Sequence, residues 1–270
     1  MTSFACGVLV ALLATGGCAS DLGPGRPPRS HVIWELPIRS WTVTPALSGE
    51  TVYFASRAHD VIAVDRATGR ERWRSTTGVP GDYPIGANLV VAGDVVVMPD
   101  ILLFAFDTAT GTPRWTFRPA NRDQPGLSGI ATDGETIYTP SIDNHAYAVD
   151  ARTGRQKWDT TLPGDSTSGS FNPAVRDGLV FIGVKRFRNP TTGAFVALDA
   201  ATGAIRWTHE FQPGYPGALT GCLGRSAFDG PNVIVAAEDG QIYAFDRQTG
   251  AVRWTAPRVH PIPSEDPGGA

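Results

Sequence analysis

The stretch AVDARTGRQKWDT, at residues 148–160, has close copies at four other places in the chain. The five copies align on aspartates that are separated by 42, 43, 49 and 47 residues. In every copy, alanine lies two positions before the aspartate, Thr-Gly follows at the third and fourth positions after it, and tryptophan at the eighth. A period of this length indicates a repeat architecture. The repeated aspartates, glycines and tryptophans are Asp65, Gly69, Trp73, Asp107, Gly111, Trp115, Asp150, Gly154, Trp158, Asp199, Gly203, Trp207, Asp246, Gly250 and Trp254.

Each copy is interpreted as one β-hairpin. The segments that end at the aspartates read VIAVD, LFAFD, AYAVD, FVALD and IYAFD, and short runs of β-branched and aromatic residues predict buried strands. The aspartate can bond backbone N–H groups just beyond it, and the glycine accepts a positive φ. We therefore expect a tight turn after each aspartate and a second strand that carries the tryptophan.

Two further strands are predicted upstream of each motif. One reads TVYFAS, VVVMP, TIYTP, LVFIGV or NVIVAA and follows a turn glycine, and a short extended segment precedes that glycine. No stretch long enough to form a stable helix shows the helical spacing of apolar residues. Repeats of four antiparallel strands cannot bury both faces alone, so they stack, and radial stacking makes a β-propeller. We predict an all-β propeller with five clear repeats in which each motif tryptophan, burying ~150–250 Å², lies between neighbouring blades.

The pattern A-x-D-x-x-T-G-x-x-x-W resembles the tryptophan-docking motif of the PQQ-like propeller repeat over residues 31–257. That superfamily includes the quinoprotein dehydrogenases and the BamB-like lipoprotein propeller of the outer-membrane β-barrel assembly machine. The resemblance implies seven or eight blades, whereas only five complete motifs are found. Trp34, in HVIWELPIR, resembles an outer-strand tryptophan without its own first strands. Three arrangements stay open: a five-bladed ring with an extra strand, an incomplete sixth blade, or an open arc.

The N-terminal sequence predicts that the protein is exported. Residues 1–18 carry no charged side chain and contain an apolar run of about a dozen residues, which fits a signal peptide and is too short to span a bilayer. ATGGC, ending at Cys18, resembles the lipobox of bacterial lipoproteins, so Cys18 is expected to be lipidated; a plain signal peptide is the alternative. Residues 19–30 are interpreted as a Pro/Gly-rich tether and residues 258–270 as a flexible tail. These features predict a bacterial envelope location, at the outer membrane or in the periplasm.

Composition limits the partners. The net charge is −3, and no run of Lys and Arg exceeds two residues, so nucleic acid is not expected to bind. Contact with a membrane is expected only through the lipid anchor. Of the three cysteines, Cys6 would be removed with the signal peptide and Cys18 would be lipidated. Cys222 would then have no partner cysteine, so no internal disulfide is predicted. Nothing in the sequence predicts an oligomeric state.

Catalytic chemistry is weakly indicated. The resemblance to quinoprotein dehydrogenases implies PQQ, a Ca²⁺ ion held by oxygen ligands and an aspartate base. The adjacent cysteines and the C-x-x-C-H haem motif that many of them carry are absent. Most aspartates are expected to serve turns. His59 and His145 lie in equivalent turns, where exposed turn histidines are favoured over a shared site. No cofactor, no metal and no catalytic residue is therefore predicted.

The remaining candidate is a loop face. Loops that join consecutive blades and the inner hairpin turns are expected on the same face of a propeller. Their cations and aromatic residues favour protein recognition over catalysis. The first hypothesis is an exported scaffold that binds a protein or envelope partner; a PQQ-dependent dehydrogenase and a small-ligand sensor are the alternatives. The candidate partner-binding residues are Arg118, Arg122, Lys185, Arg186 and Arg188.

Overall fold

The computed structural model describes residues 33–37, 44–79, 88–119, 126–127, 129–163, 173–184, 193–211 and 222–257. These residues contain twenty strands and no helix. Within them, accordingly, no helix is long and apolar enough to cross a membrane. The first ten strands are β1 (Ala46–Ser48), β2 (Thr51–Ala55), β3 (Asp60–Asp65), β4 (Glu71–Thr76), β5 (Val90–Ala92), β6 (Val95–Pro99), β7 (Leu103–Asp107), β8 (Pro113–Phe117), β9 (Ala131–Thr132) and β10 (Thr136–Pro140). The second ten are β11 (His145–Asp150), β12 (Gln156–Thr161), β13 (Ala174–Arg176), β14 (Leu179–Val184), β15 (Gly193–Asp199), β16 (Ile205–Phe211), β17 (Cys222–Asp229), β18 (Asn232–Ala237), β19 (Gln241–Asp246) and β20 (Val252–Pro257).

Every four consecutive strands form one antiparallel sheet in chain order, which gives five sheets. We call them blades 1 to 5. The all-β propeller prediction of four-stranded blades is confirmed. In each blade the fourth strand begins at the motif turn, and a register shift follows the repeated alanine, where the outer strand leaves the turn.

The second strands of blades 1 to 4 are buried along their whole length, whereas the fourth strands alternate between exposed and covered residues. In blades 2 to 4 the second strand is packed on both faces by neighbouring blades, and in blade 1 by blade 2 and by residues 33–37. Such strands are expected to be continuously apolar. The fourth strand lies at the rim, so one of its faces meets solvent.

The hydrophobic core consists of layers between blades. The layer between blades 3 and 4 joins Tyr138, Ala148 and Trp158 to Val180 and Val196. Equivalent layers lie between blades 1 and 2, 2 and 3, and 4 and 5. Each blade therefore depends on its neighbour for burial, as expected for a repeat protein.

Residues 33–37 cover the free side of blade 1. Trp34 and Leu36 pack on Val52, Phe54 and Ile62, with the ring centroids of Trp34 and Phe54 6.3 Å apart. The segment has no strand pairing, and no sixth sheet is present among the described residues. Trp34 thus takes the position of a docking tryptophan from a preceding blade. Of the three arrangements considered from the sequence, the described residues form an open series of five blades with a covering segment.

Candidate functional site

The repeated turn is a network around one carboxylate. In blade 4, Asp199 Oδ1 accepts hydrogen bonds from the Thr202 backbone N–H and from the Thr202 hydroxyl, both at 2.9 Å. Asp199 Oδ2 accepts from Arg206 Nη2 at 2.6 Å. The Arg206 guanidinium and the Thr202 donors stabilise the ionised form and lower the pKa of Asp199 to about 2. The same arrangement lowers the pKa of Asp65 to about 2, with Arg72 as the first cause.

The basic partner was missed by the sequence analysis. Arg72, Arg114, Arg206 and Arg253 each lie seven residues after the motif aspartate and bond to it. In blade 3 the equivalent Lys157 bonds to Thr136 Oγ1 instead. A cation at the seventh position in every copy was the signal that could have revealed this contact.

The motif tryptophans dock on the motif glycines of the next blade. Trp158 Nε1 donates to Ala200 O at 3.0 Å, and its ring lies over Gly203. A Cβ atom on Gly203 would lie 2.7 Å from Trp158 Cδ2, so only glycine fits under the indole. The same contact joins Trp73 to Gly111, Trp115 to Gly154, and Trp207 to Gly250.

Two tryptophans depart from the expected arrangement. We predicted that Trp254 lies between blades, but it is 42% exposed and no described glycine lies beneath it. Gly69 in blade 1 is covered instead by Trp34, whose Nε1 donates to Arg66 O at 2.8 Å. The prediction for Trp254 was wrong because the motif specifies the tryptophan but not the blade that must cover it.

The opposite end of the blades forms the loop face. There the turn between the second and third strands contacts the segment that leaves the fourth strand: Thr77 N donates to His59 O, and Leu162 N donates to Asn144 O. The two sets of loops therefore share one face. Three exposed side chains of blades 2 and 3 lie on it: Arg118, Ile101 and Ile142. Arg122, Lys185, Arg186 and Arg188, like Cys18, lie outside the described residues.

The expectation of exposed turn histidines was wrong. His59 has no exposed surface, and its Nδ1 lies 2.6 Å from Asp100 Oδ2 of the neighbouring blade. His59 occupies the left-handed region, with φ at 60°. His145 is half-buried, and its ring stacks on Tyr147 with centroids 5.9 Å apart. The two histidines do not form a shared site in this arrangement; His59 instead joins the turns of blades 1 and 2.

The inner strands of blades 2 to 5 line a cavity of about 250 Å³. Its wall includes Asn88, Thr132, Arg225 and Ser226 among apolar residues. Asn88 Nδ2 donates to Ile130 O at 3.1 Å, and Asn88 Oδ1 has no hydrogen-bond partner among the described residues. Sequence analysis did not single out Asn88, because one asparagine in a loop carries no pattern.

The described wall of the cavity does not fit a quinone with Ca²⁺. Ca²⁺ in proteins takes carboxylate and carbonyl oxygens in numbers, and the lining side chains include no carboxylate. Across the described ranges, no group of three or more His, Cys, Asp or Glu side chains is placed to hold a metal ion. We therefore derive no reaction step through a quinone from this geometry.

Comparison with known proteins agrees with the fold. The outer membrane protein assembly factor BamB of Bordetella pertussis is 25% identical over 220 residues, which cover 74% of this chain and 53% of that protein. The quinohemoprotein alcohol dehydrogenase ADH IIB of Pseudomonas putida is 27% identical over 180 residues, which cover 66% of this chain and 21% of that protein. The chain thus spans about half or less of these relatives.

Among solved structures, BamB of Moraxella catarrhalis superimposes with a TM-score of 0.58 at 21% identity, covering 80% of this chain and 61% of that one. At this identity the likeness shows the fold alone. The sequence itself matches the family described as outer membrane protein assembly factor BamB over residues 26–166 and again over residues 103–261. Because these matches span most of its length, the chain belongs to the BamB family of PQQ-like propellers.

Proposed function

We propose that this protein is a scaffold of the bacterial envelope that binds a protein partner through its loop face. The family match supports a role in envelope assembly, since the family is described as an assembly factor of the outer membrane. The similarity to the outer membrane protein assembly factor BamB of Bordetella pertussis supports an envelope location and a protein partner for this chain. The specific partner is chosen by the side chains of the loop face.

The observation that carries the proposal is the set of exposed apolar and cationic residues on that face. Ile101 and Ile142 are among the few large apolar side chains that remain exposed, and both lie in turns between second and third strands. Arg118 follows β8 and is also exposed. Exposed apolar side chains and arginines on one face are typical of protein-binding surfaces. Four further cationic residues lie outside the described residues, in loops that the sequence analysis expects on the same face: Arg122, Lys185, Arg186 and Arg188.

A cross-linking experiment tests this proposal. A photoreactive amino acid is introduced at Arg118 in intact cells that carry the native gene, and the matched control position is Arg152, an exposed arginine in the turn at the opposite face. We expect a discrete adduct with an envelope protein from position 118 and none from position 152. Equal labelling from both positions, or none from position 118, would contradict the proposal.

Introducing a charge on the loop face allows the affinity for the partner to be measured. Ile142→Glu places a carboxylate on the loop face, whereas Ile205→Glu places one at an equally exposed position by the opposite face; the two isoleucines are 42% and 43% exposed. With the cross-linked partner purified, Ile142→Glu is expected to weaken binding at least tenfold, and Ile205→Glu to leave it unchanged.

A PQQ-dependent dehydrogenase is the second candidate, favoured by the similarity to a quinohemoprotein alcohol dehydrogenase over 66% of the chain. A ligand bound only by the folded state stabilises it by ~2.7 kcal/mol at a hundred times its dissociation constant. Under the scaffold proposal, PQQ with Ca²⁺ leaves the melting temperature unchanged. A rise in melting temperature together with dye reduction from an alcohol or a sugar would establish the dehydrogenase instead.

We also propose that Cys18 anchors the protein to the membrane through lipid. Its support is the ATGGC sequence that follows the apolar residues of the first segment. Cys18→Ser is expected to abolish labelling by a fatty-acid analogue and to move the protein from the membrane to the soluble fraction. Unchanged membrane partition in this variant would leave the plain signal-peptide hypothesis.

A further inference from the structure

The cavity between the inner strands, which we call the inner cavity, carries two polar side chains at equivalent positions of their blades. Asn88 in blade 2 and Arg225 in blade 5 both line it, and each lies five residues before the turn glycine of its blade. The same position holds Gly129 in blade 3 and Pro173 in blade 4. These two residues add no polar side chain, so the amide and the guanidinium stand out against a repeat that is otherwise apolar or small at this point.

The Asn88 amide is buried and half satisfied. The residue is 7% exposed, and its Nδ2 donates to Ile130 O at 3.1 Å, which fixes the orientation of the amide. Asn88 Oδ1 is buried and has no hydrogen-bond partner among the described residues. Burying an acceptor without a donor destabilises the folded chain. Because Asn88 lines the inner cavity, a hydroxyl group held there can supply the donor that this oxygen lacks.

The other polar groups of the wall donate hydrogen bonds. Arg225 is exposed and forms no ion pair with the described residues, so its planar guanidinium is available to a carboxylate, whose geometry it matches. Thr132 Oγ1 accepts from Gly134 N at 2.9 Å, which leaves its hydroxyl hydrogen to be donated. Ser226 adds a half-buried hydroxyl. With one cation and no carboxylate in the described wall, the inner cavity favours an anion.

The size and the apolar part of the wall limit the ligand further. A cavity of about 250 Å³ lies below the range of roughly 300–1,000 Å³ that is typical of sites for drug-sized molecules. Val90, Ile130 and Pro173 form apolar wall against which a short carbon skeleton can pack. An ammonium group has no acidic partner among the lining side chains and is repelled by Arg225, so a hydroxyl is the better donor to Asn88.

We propose that the inner cavity binds a small hydroxycarboxylate. Arg225 pairs with the carboxylate, Asn88 Oδ1 accepts from the hydroxyl, and the carbon skeleton packs on Val90 and Ile130. Such a ligand needs neither a metal ion nor a quinone ring, which separates this site from the dehydrogenase candidate. The proposal goes beyond the scaffold function, because it concerns a small molecule among the inner strands and not the protein partner of the loop face.

Ligand-observed NMR with the purified full chain tests this binding without any assumed activity. The probes are lactate and the longer gluconate, both hydroxycarboxylates. Two neutral or truncated analogues of lactate serve as matched controls: propionate lacks the hydroxyl, and propylene glycol lacks the carboxylate. We expect saturable binding of at least one hydroxycarboxylate, and each lactate analogue to bind about tenfold more weakly than lactate or less, since each loses one hydrogen-bonded group.

Two variants locate the site. Arg225→Gln is expected to weaken hydroxycarboxylate binding at least tenfold, whereas Arg152→Gln, at an exposed arginine of a motif turn, should leave it unchanged. Ala174→Leu introduces a larger apolar side chain into the wall and should also prevent binding, although it alters neither Asn88 nor Arg225. Both Arg225→Gln and Ala174→Leu are checked for a melting temperature close to that of the unmodified chain.

Three results would overturn the proposal. Failure of both lactate and gluconate to bind at high millimolar concentration would mean that the inner cavity holds water only. Propionate or propylene glycol binding as tightly as lactate would remove the requirement for the hydroxyl or the carboxylate. Equal losses in Arg225→Gln and Arg152→Gln would indicate unspecific attraction of anions to arginine. Cross-linking from Arg118 is measured separately, so none of these results bears on the loop-face partner.

Discussion

The Gly203 turn offers a direct test of the tryptophan clasp. Gly203 and Gly178 have nearly equal φ angles, 76° and 75°. Alanine at either position meets the same left-handed strain, roughly 1–2 kcal/mol. A Cβ atom on Gly178 would meet nothing within 4 Å, whereas on Gly203 it would lie 2.6 Å from Thr160 Oγ1 and 2.7 Å from Trp158 Cδ2. The two substitutions therefore differ in the contacts with Trp158 and Thr160.

The additional cost of Gly203→Ala comes from displacing the indole. The ring must retreat by about 1 Å, which strains a packed layer at roughly 1–3 kcal/mol. That retreat also stretches the bond from Trp158 Nε1 to Ala200 O, worth about 1 kcal/mol. We expect Gly203→Ala to lower the free energy of unfolding by about 3–6 kcal/mol and Gly178→Ala by about 1–2 kcal/mol. The difference corresponds to roughly 5–10 °C in melting temperature for a chain of this size.

Urea unfolding followed by both tryptophan fluorescence and circular dichroism provides the free energies, with coincident transitions as the check on two-state behaviour. A double-mutant cycle with Trp158→Ala isolates the contact. Without the indole, Gly203→Ala should cost clearly less than it does in the unmodified chain, with only the contact to Thr160 Oγ1 remaining. If Gly203→Ala costs as much in the Trp158→Ala background as in the unmodified chain, or if the two glycines respond equally in the unmodified chain, the docking explanation for the motif glycine is refuted.

Three further predictions follow from the same contacts. Trp158→Ala should lower the free energy of unfolding by about 3–5 kcal/mol. Trp254→Ala, measured at low protein concentration, should lower it by at least ~1.5 kcal/mol less, because the Trp254 side chain is already 42% exposed. Equal losses in urea melts would contradict the open series of blades. The pKa of Asp199 is lowered to about 2 in the folded state, so Asp199 contributes stability that is present above its unfolded pKa near ~3.9 and lost as pH falls towards 2. Asp199→Asn should therefore reduce the dependence of the melting temperature on pH between these values. An unchanged pH profile would argue against the Arg206 contact. His59→Asn removes the ring that bonds Asp100, while asparagine tolerates the left-handed backbone at this position. It should lower the free energy of unfolding by about 2–4 kcal/mol. An unchanged melting temperature would show that the pair does not hold blades 1 and 2 together.

The repeated motif made the blade predictable because its contacts are local. The Asp199 turn is closed by donors two to seven residues away, so the required residue types recur at fixed spacing. Strand type was equally readable, since a strand packed on both faces must be continuously apolar. The need for a neighbouring blade also followed, because a sheet with two apolar faces cannot be stable alone. Residue chemistry at short separation thus determined the fold class and the family.

Contacts between distant parts of the chain were decided only by the tertiary structure. Trp73 and Trp254 have the same motif around them, yet one is covered and the other open, because coverage depends on which blade stands next in space. His59 and Asp100 are 41 residues apart and carry no shared pattern, and their bond forms because adjacent blades bring two turns together. The placement of Trp34 on Gly69 is of the same kind. Spacing along the chain specifies what a side chain can bind, whereas the stacking of the blades decides which partner it meets.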